Sequence, residues 1–427
     1  MKRIFNSRAF RLFLLALAIR LSVFALFAFH QGTPNLTLSG GDADAYLQIG
    51  KNIFSGHGFS SSEHAPFEPN AAWPPVFPFL LGMLGSSRLW VYLIFQILIA
   101  SASVAVLYKI GFLVFSRRTA LLAGLVFALD PISAFWSINL LSETLFTFLF
   151  LLSLYFLIKF WKEGSNGVVF FSALFLGLAT LTRVVTSLFP AIILVFCLFA
   201  AGMPGKRKLA AILIFAAVFI ATLSPWLARN QRVFESFSLS YIPTYNWYWY
   251  NARQFYAYKN HLSQSEAKTI FLQWREEAVA DNPKLDNHLK LQPFYAQKAF
   301  QIIAQDPAGY LRLHLTNTAA VFLSTGWDDM ALAWTGRDSD VNLTGVLQGG
   351  GIGQLFIKHP GLALEKVMLL IFYLAILLGA ILSLKLKRAP FYPVRECPAT
   401  GRGAHFPHTN MGFNAPHKFS NGVYFLF

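Results

Sequence analysis

The chain has 427 residues, of which 55% are hydrophobic and only 13% charged, with 44 Phe and a formal charge of +15. A mean hydropathy of +0.50 excludes an ordinary soluble globular protein and leaves a multi-spanning membrane protein. The positive charge calls for no nucleic acid, because Lys and Arg in short cytoplasmic loops facing anionic lipid account for much of it.

In chain order, apolar runs long enough to cross about 30 Å of hydrocarbon as helices occur at 10–29, 89–115, 120–136, 141–160, 168–181, 185–201, 209–227 and 363–384. That reading gives about eight spans. The fifth and sixth are short and meet at Arg183, so a broken or re-entrant pair is the alternative. Residues 76–84 are too few to span and are expected to dip into the outer interface. The first run is too long for a secretory leader and lacks a small-residue cleavage site, so it is expected to be retained.

Orientation follows from where Lys and Arg collect. Lys2, Arg3, Arg8 and Arg11 precede the first run. Arg117 with Arg118, Lys159 with Lys162, Lys206-Arg207-Lys208, and Lys385, Lys387 and Arg388 mark every second boundary thereafter. The N terminus is therefore expected in the cytoplasm of a bacterial inner membrane, with the loop 31–88 and the region 228–360 outside. Cys197 and Cys397 lie far apart in this topology, which speaks against a disulfide framework.

Four parts result. Residues 1–227 form a helical bundle with the outer loop 31–88. Residues 228–360 form an outer, mostly helical domain, with amphipathic patterns at 261–279 and 294–304 and a helix opening at Asp306-Pro307. Residues 361–388 hold the last span, and 389–427, with five Pro and no sustained period, are expected to be disordered or the product of truncation or frameshift. The aromatic run Tyr245-Asn246-Trp247-Tyr248-Trp249-Tyr250 reads as an interfacial belt or as a sugar-stacking platform.

Candidate chemistry lies at the outer edge of the bundle. Asp42 and Asp44, in Gly40-Gly41-Asp42-Ala43-Asp44-Ala45-Tyr46, suit a general base or a pair approaching one divalent cation. The alternative is a turn and helix cap opening 43–54. Glu143, in Leu141-Ser142-Glu143-Thr144, either caps a helix or is a further outer carboxylate. Arg183, Arg229 and Arg232 are placed to receive a phosphate, since guanidinium matches its oxygens in a two-pronged geometry; interfacial anchoring is the alternative. Arg20 lies mid-span and requires a partner or a polar cavity. His57 and His64 read as polar loop residues, and nothing suggests a His-rich metal cage.

The order Asp42-x-x-x-Tyr46, Gly56-x-Gly58-Phe59, Pro74-Pro75-x-x-Pro78, Leu141-Ser142-Glu143-Thr144, Leu181-Thr182-Arg183 and Pro225-Trp226-x-x-Arg229-Asn230 resembles bacterial GT-C membrane glycosyltransferases. It is most similar to glycosyltransferase family 39, relatives of protein O-mannosyltransferases and the lipid A aminoarabinose transferase, over residues 10–320. The resemblance implies an all-α GT-C bundle and an inverting transfer of a hexosyl or pentosyl group from a polyprenyl-phosphate carrier to a lipid, glycan or protein acceptor on the outer face. By similarity Asp42 matches the family's catalytic acidic residue, Glu143 the recurrent Ser-Glu-Thr and Arg183 the Leu-Thr-Arg motif, while Asp44 is an added carboxylate whose role is open; Asp42, Asp44 and Glu143 are the catalytic candidates, and Arg183, Arg229 and Arg232 those for the donor phosphate. Tyr46 and His57 would contact substrate, and a divalent metal at Asp42 and Asp44 would be the only cofactor. Val184 departs from the Pro often found after Leu-Thr-Arg, and one span after the outer domain is fewer than relatives carry. A polytopic transporter or lipid flippase is the competing class, and a non-catalytic scaffold is a third that leaves Asp42 and Glu143 without a role.

Overall fold

A computed structural model describes residues 7–31, 41–85, 89–193, 204–324, 330, 333, 334 and 367. The span expected at 363–384, apart from residue 367, the tail 389–427, and the part of 185–201 beyond residue 193 lie outside the described residues. Within them every regular element is helical, and the only strand-like feature is one isolated bridge between Ser60 and Pro69.

Four helices are long and apolar enough to cross a membrane: α1 (Arg8–Gln31), α4 (Leu89–Val114), α7 (Glu143–Glu163) and α9 (Gly205–Phe234). At 1.5 Å per residue each exceeds the roughly 30 Å hydrocarbon thickness. The shorter α5 (Arg117–Leu129), α6 (Pro131–Trp136) and α8 (Asn166–Thr180) fill the bundle between them. α1 packs on α4 and α5, α4 on α7, α7 on α8, and α8 on α9. Outward-facing Leu21, Leu26, Leu122, Phe171, Leu213 and Ile220 are exposed, so the bundle is apolar all round, as lipid requires.

Close approach between these helices rests on small residues and shared hydroxyls. A Cβ on Gly111 would meet Ala120 at 3.0 Å, and Ser153 and Ser172 donate to each other's carbonyl at 2.9 and 3.0 Å. Such contacts substitute in lipid for the hydrophobic drive that water would supply.

The expected single span at 120–136 is divided. Asp130 ends α5 in an extended conformation, and its carboxylate accepts from the amides of Ile132 and Ser133 at 3.2 and 3.1 Å, capping α6. Buried Arg20 sits beside this break. Its guanidinium donates to Ser133 Oγ at 2.9 Å and to the Ala16 carbonyl at 3.3 Å, lies over the Phe127 ring, and interacts electrostatically with Asp130. A lone cation there would cost roughly 2.5–3.5 kcal/mol on insertion scales, so Arg20 and the broken helix satisfy one another.

At one end of the bundle lie α2 (Asp42–Phe54) and α3 (Val76–Leu84). They cross backbone to backbone at Gly50 and Gly82: a Cβ on Gly50 would meet the Pro78 carbonyl at 2.8 Å and the Gly82 amide at 2.9 Å. The loop between them is held by Asn52, which donates to the carbonyls of Ser60 and Ser62 at 2.7 and 2.9 Å.

Beyond α9 the chain forms a helical domain of α10 (Ile242–Asn246), a π-helical turn (Trp247–Ala252), α11 (Arg253–Lys259), α12 (Gln264–Asp281), α13 (Gln292–Ala304) and α14 (Pro307–Ser324). Ser263 and Glu266 form a reciprocal capping box that starts α12. The three expected amphipathic helices are all present, within a few residues of the predicted bounds. The aromatic run, however, is not an interfacial belt: Tyr248 and Trp249 are buried in this domain's core against Phe271 and Tyr295. Trp334 returns to the bundle, where it stacks on His30 at the end of α1 with ring centroids 4.0 Å apart.

Candidate functional site

The helix expected at 43–54 begins one residue earlier, at Asp42, because Gly41 takes the N-cap position with φ 68°, a conformation that favours glycine. No side chain caps this helix. The Asp42 carboxylate is therefore not used as a cap; it is exposed, near the dipole-positive end of α2. Asp44 is also exposed. Residues two apart on a helix do not face each other, so the two carboxylates diverge. Tyr46, one turn on from Asp42, points inward and is only 4% exposed.

Tyr46 leads to the second half of the site. Its hydroxyl lies 3.4 Å from Ser142 Oγ, at the start of α7. Ser142 also accepts from Arg183 Nη1 at 3.2 Å, and the same nitrogen donates to Glu143 Oε1 at 2.5 Å. Glu143 and Arg183 thus form a half-exposed ion pair, and the expected free cation at position 183 is instead already partnered. Ser142 is a hydrogen-bond hub rather than a side-chain cap for α7. Burial, with smaller contributions from Asp42 and Glu143, pushes the Tyr46 phenol up to about 12. Tyr46 is consequently protonated near neutrality, a donor and not a base.

Local geometry explains how Arg183 reaches this point. α8 ends at Thr180, the amides of Thr182 and Arg183 both donate to the Ala179 carbonyl at 3.0 and 2.8 Å, and Arg183 then turns extended at φ −146°. The Val76 amide donates to the Leu181 carbonyl at 3.1 Å. That bond ties the end of α8 to the start of α3. The expected break between two short apolar segments is present here, with a 3-10 turn at Val184–Thr186 following Arg183.

The other predicted residues are placed elsewhere. Arg229 clamps the outer loop to α9: it donates to the Asn70 carbonyl at 2.8 Å and the Phe59 carbonyl at 3.4 Å, and its guanidinium lies over Trp226 at 4.8 Å. Arg232 is exposed one turn further on. His57 is exposed just past the other end of α2, stacked on Phe67 with centroids 3.9 Å apart. None of these three touches the Glu143–Arg183 pair. A residue missed in the sequence is Tyr92 on α4, fully buried, with a hydroxyl that has no hydrogen-bond partner and lies within electrostatic reach of Glu143 and Tyr46. Within an apolar run nothing marked it.

Two cavities flank the start of α7. One, of about 360 Å³, is lined by Glu143, Thr144 and Thr147 of α7 together with Ser103, Ser133 and Trp136 among others. The second, of about 690 Å³, has a wholly apolar lining that includes Phe59, Phe79, Phe95, Leu145, Phe148 and Leu178. Among the described residues no group of three or more His, Cys, Asp or Glu gathers, and Asp42 and Asp44 lie two apart on α2, positions that do not share a helix face.

Residues 72–228 match the model of a family described as dolichyl-phosphate-mannose-protein mannosyltransferase. That match supports a GT-C glycosyltransferase. Comparisons with curated proteins and with solved structures give no match. The matched segment runs from the residues before α3 into α9 and contains Glu143 and Arg183, while Asp42 and Tyr46 precede it on the helix that packs against α3. At one end of the bundle the structure has a carboxylate with no hydrogen bond among the described residues, an ion pair and a buried phenol, with an apolar and a partly polar cavity on either side of the start of α7.

Proposed function

We propose that this protein transfers a sugar from a polyprenyl-phosphate carrier to an acceptor on the outer face of the cytoplasmic membrane, with inversion at the anomeric carbon. The observation that carries this reading is the meeting of Asp42, Tyr46, Glu143 and Arg183 next to an apolar cavity. A carboxylate free of structural hydrogen bonds, a guanidinium and a lipid-sized groove are what a lipid-linked donor requires. The family description, with its dolichyl-phosphate-mannose donor, supports the same class of substrate.

In the reaction Asp42 accepts the proton from an acceptor hydroxyl or amine, whose lone pair forms the new bond to the anomeric carbon. The bond from that carbon to the phosphate oxygen breaks, and its electron pair leaves with the carrier phosphate. Displacement in one step from the opposite face inverts the centre. Arg183 offsets the charge gathering on the departing phosphate. Only one of its nitrogens is engaged by Ser142 and Glu143, so the rest of its donor fork remains for phosphate oxygens. Glu143 fixes the guanidinium, and protonated Tyr46 donates at the floor of the site. Arg229 and Arg232 act at a distance, the former by holding the outer loop in place.

A cytoplasmic N terminus puts α2, α3 and the α10–α14 domain outside the cell, where no nucleotide-activated sugar is available and a lipid carrier must supply the donor. The test is a panel of polyprenyl-phosphate sugars, each labelled in the sugar, incubated with membranes containing the protein. Transfer of label from one carrier to a new acceptor, with release of free polyprenyl phosphate, is expected. Membranes that move labelled lipid between leaflets without cleaving it would instead establish a flippase.

A further inference from the structure

Hydroxyls in the membrane helices of this protein are, with few exceptions, occupied within their own helix. Ser101, Thr180, Thr182 and Thr222 each donate to the carbonyl four residues earlier at 2.7 to 2.9 Å, the usual way to satisfy such a group away from water. Thr144 and Thr147 on α7 do otherwise. Neither makes a side-chain hydrogen bond among the described residues, and both line the cavity of about 360 Å³ with Glu143, Ser103, Ser133 and Trp136. Glu143 adds an oxygen, Oε2, that is buried and has no partner, although its Oε1 is held by Arg183. Leaving buried polar atoms unpaired costs on the order of 1–3 kcal/mol each. A wall of this kind is therefore matched to an occupant that both donates and accepts.

Its position narrows the occupant. Ser103 is fourteen residues along α4 from Leu89, which at 1.5 Å per residue puts it roughly 21 Å from that end, while Glu143, Thr144 and Thr147 line the same cavity from the start of α7. The broken α5–α6 segment forms the opposite wall through Ser133, whose hydroxyl is held by Arg20. Irregular backbone at that depth is tolerated where it lines a polar cavity. The volume falls within the roughly 300–1,000 Å³ of small-molecule sites, and the rings of Trp136 and Phe127 share the lining. Ser103 donates to the Ile99 carbonyl at 2.9 Å and Ser133 is held by Arg20, so the groups left for an occupant are Thr144, Thr147 and Glu143; these beside aromatic faces suit a polyhydroxylated ring, whereas an isoprenoid chain would leave all three without a partner.

We propose that this intramembrane chamber receives the sugar ring of the lipid-linked donor, with Glu143 Oε2, Thr144 and Thr147 hydrogen-bonding its hydroxyls. The inference rests on the glycosyltransferase reading above. Glu143 then serves both partners of the scissile bond: one oxygen orients Arg183 toward the phosphate and the other holds the sugar. In this arrangement Thr147 is a specificity residue, not a catalytic one.

The test is direct binding of polyprenyl-phosphate mannose and of sugar-free polyprenyl phosphate to the purified full-length protein, for the native chain and for Thr147→Met, which removes the hydroxyl and pushes a longer apolar side chain into the chamber. The native protein is expected to bind the mannosyl lipid at least ten-fold more tightly than the sugar-free lipid. Thr147→Met is expected to erase that difference while leaving the affinity for sugar-free lipid unchanged. Thr147→Val, which keeps the shape and removes only the hydroxyl, is expected to lose several-fold of the preference and serves if the Met variant does not fold. A preference for the mannosyl lipid that persists in the variants would overturn the chamber and leave the donor reading standing. A native protein that binds neither lipid would refute the donor reading and the chamber with it.

Discussion

Asp42 owes its availability to its neighbour. With Gly41 at the N-cap and no side-chain cap on α2, the carboxylate is not drawn into the local hydrogen bonding that usually occupies an Asp at a helix start. Asp42→Asn keeps the shape and removes the proton acceptor, so transfer is expected to fall by about 10²–10⁴-fold, the range of general-base catalysis, at unchanged expression. Asp44→Asn, on a different side of the helix, should cost far less; equal losses from the two in a labelled-sugar transfer assay would reject Asp42 as the base. Arg183 carries a second expectation. Arg183→Ala should weaken donor dependence strongly, and Arg183→Lys should recover it only in part, since an ammonium cannot hold Glu143, Ser142 and a phosphate in one plane. Full recovery with Lys, measured as donor KM, would reduce Arg183 to an interfacial anchor. Motif order singled out Asp42, Ser142, Glu143 and Arg183 as candidates, and the structure joins the last three by hydrogen bonds. Tyr92 and Thr147 were not singled out, since a lone hydroxyl or phenol in an apolar run looks like ordinary membrane content until packing shows what it faces.

At the scale of elements, hydropathy located α1, α4, α7 and α9 to within a few residues, because a lipid-facing helix of this length has little freedom in composition. The break between α5 and α6 was hidden by the same averaging. Asp130-Pro131 is a turn signal, but a window across it remains apolar, and only Arg20 twenty residues into the chain hinted that something polar lay at that depth. The aromatic run misled for a related reason: composition suits both an interface and a small soluble core, and here the π-helical turn carries Tyr248 and Trp249 inward. That core also contains a titrating group. His288 donates to or accepts from the Tyr295 hydroxyl at 2.9 Å, and burial, followed by Arg275, lowers its pKa from the ordinary 6.5. Below that value the unfolded chain binds more protons than the folded one, so stability is fully present above 6.5 and declines as the pH falls toward the lowered folded value. Thermal unfolding of the purified protein should therefore show a midpoint that drops as the pH falls below 6.5, with a smaller drop in His288→Asn. Identical pH slopes in the two proteins would show that His288 does not carry this effect.

For the whole molecule, two cavities of different chemistry meet at one helix start. The apolar groove and the hydroxyl-lined chamber lie on two sides of the start of α7, and the Glu143–Arg183 pair stands at that start. Reporter tags after Arg118, Lys162 and Lys208 should read cytoplasmic, and tags near Ser62 and Asp286 should read external, as the distribution of Lys and Arg requires. An external reading at Lys208 would invert the bundle and remove the reason for a lipid-linked donor. The most direct measurement is release of free polyprenyl phosphate by the purified protein supplied with a lipid-linked sugar and an acceptor, compared with Asp42→Asn under the same conditions. The account predicts stoichiometric release and sugar transfer by the native protein and neither by the variant, while equal release by both, or none by a folded native protein across the donor panel, would contradict it.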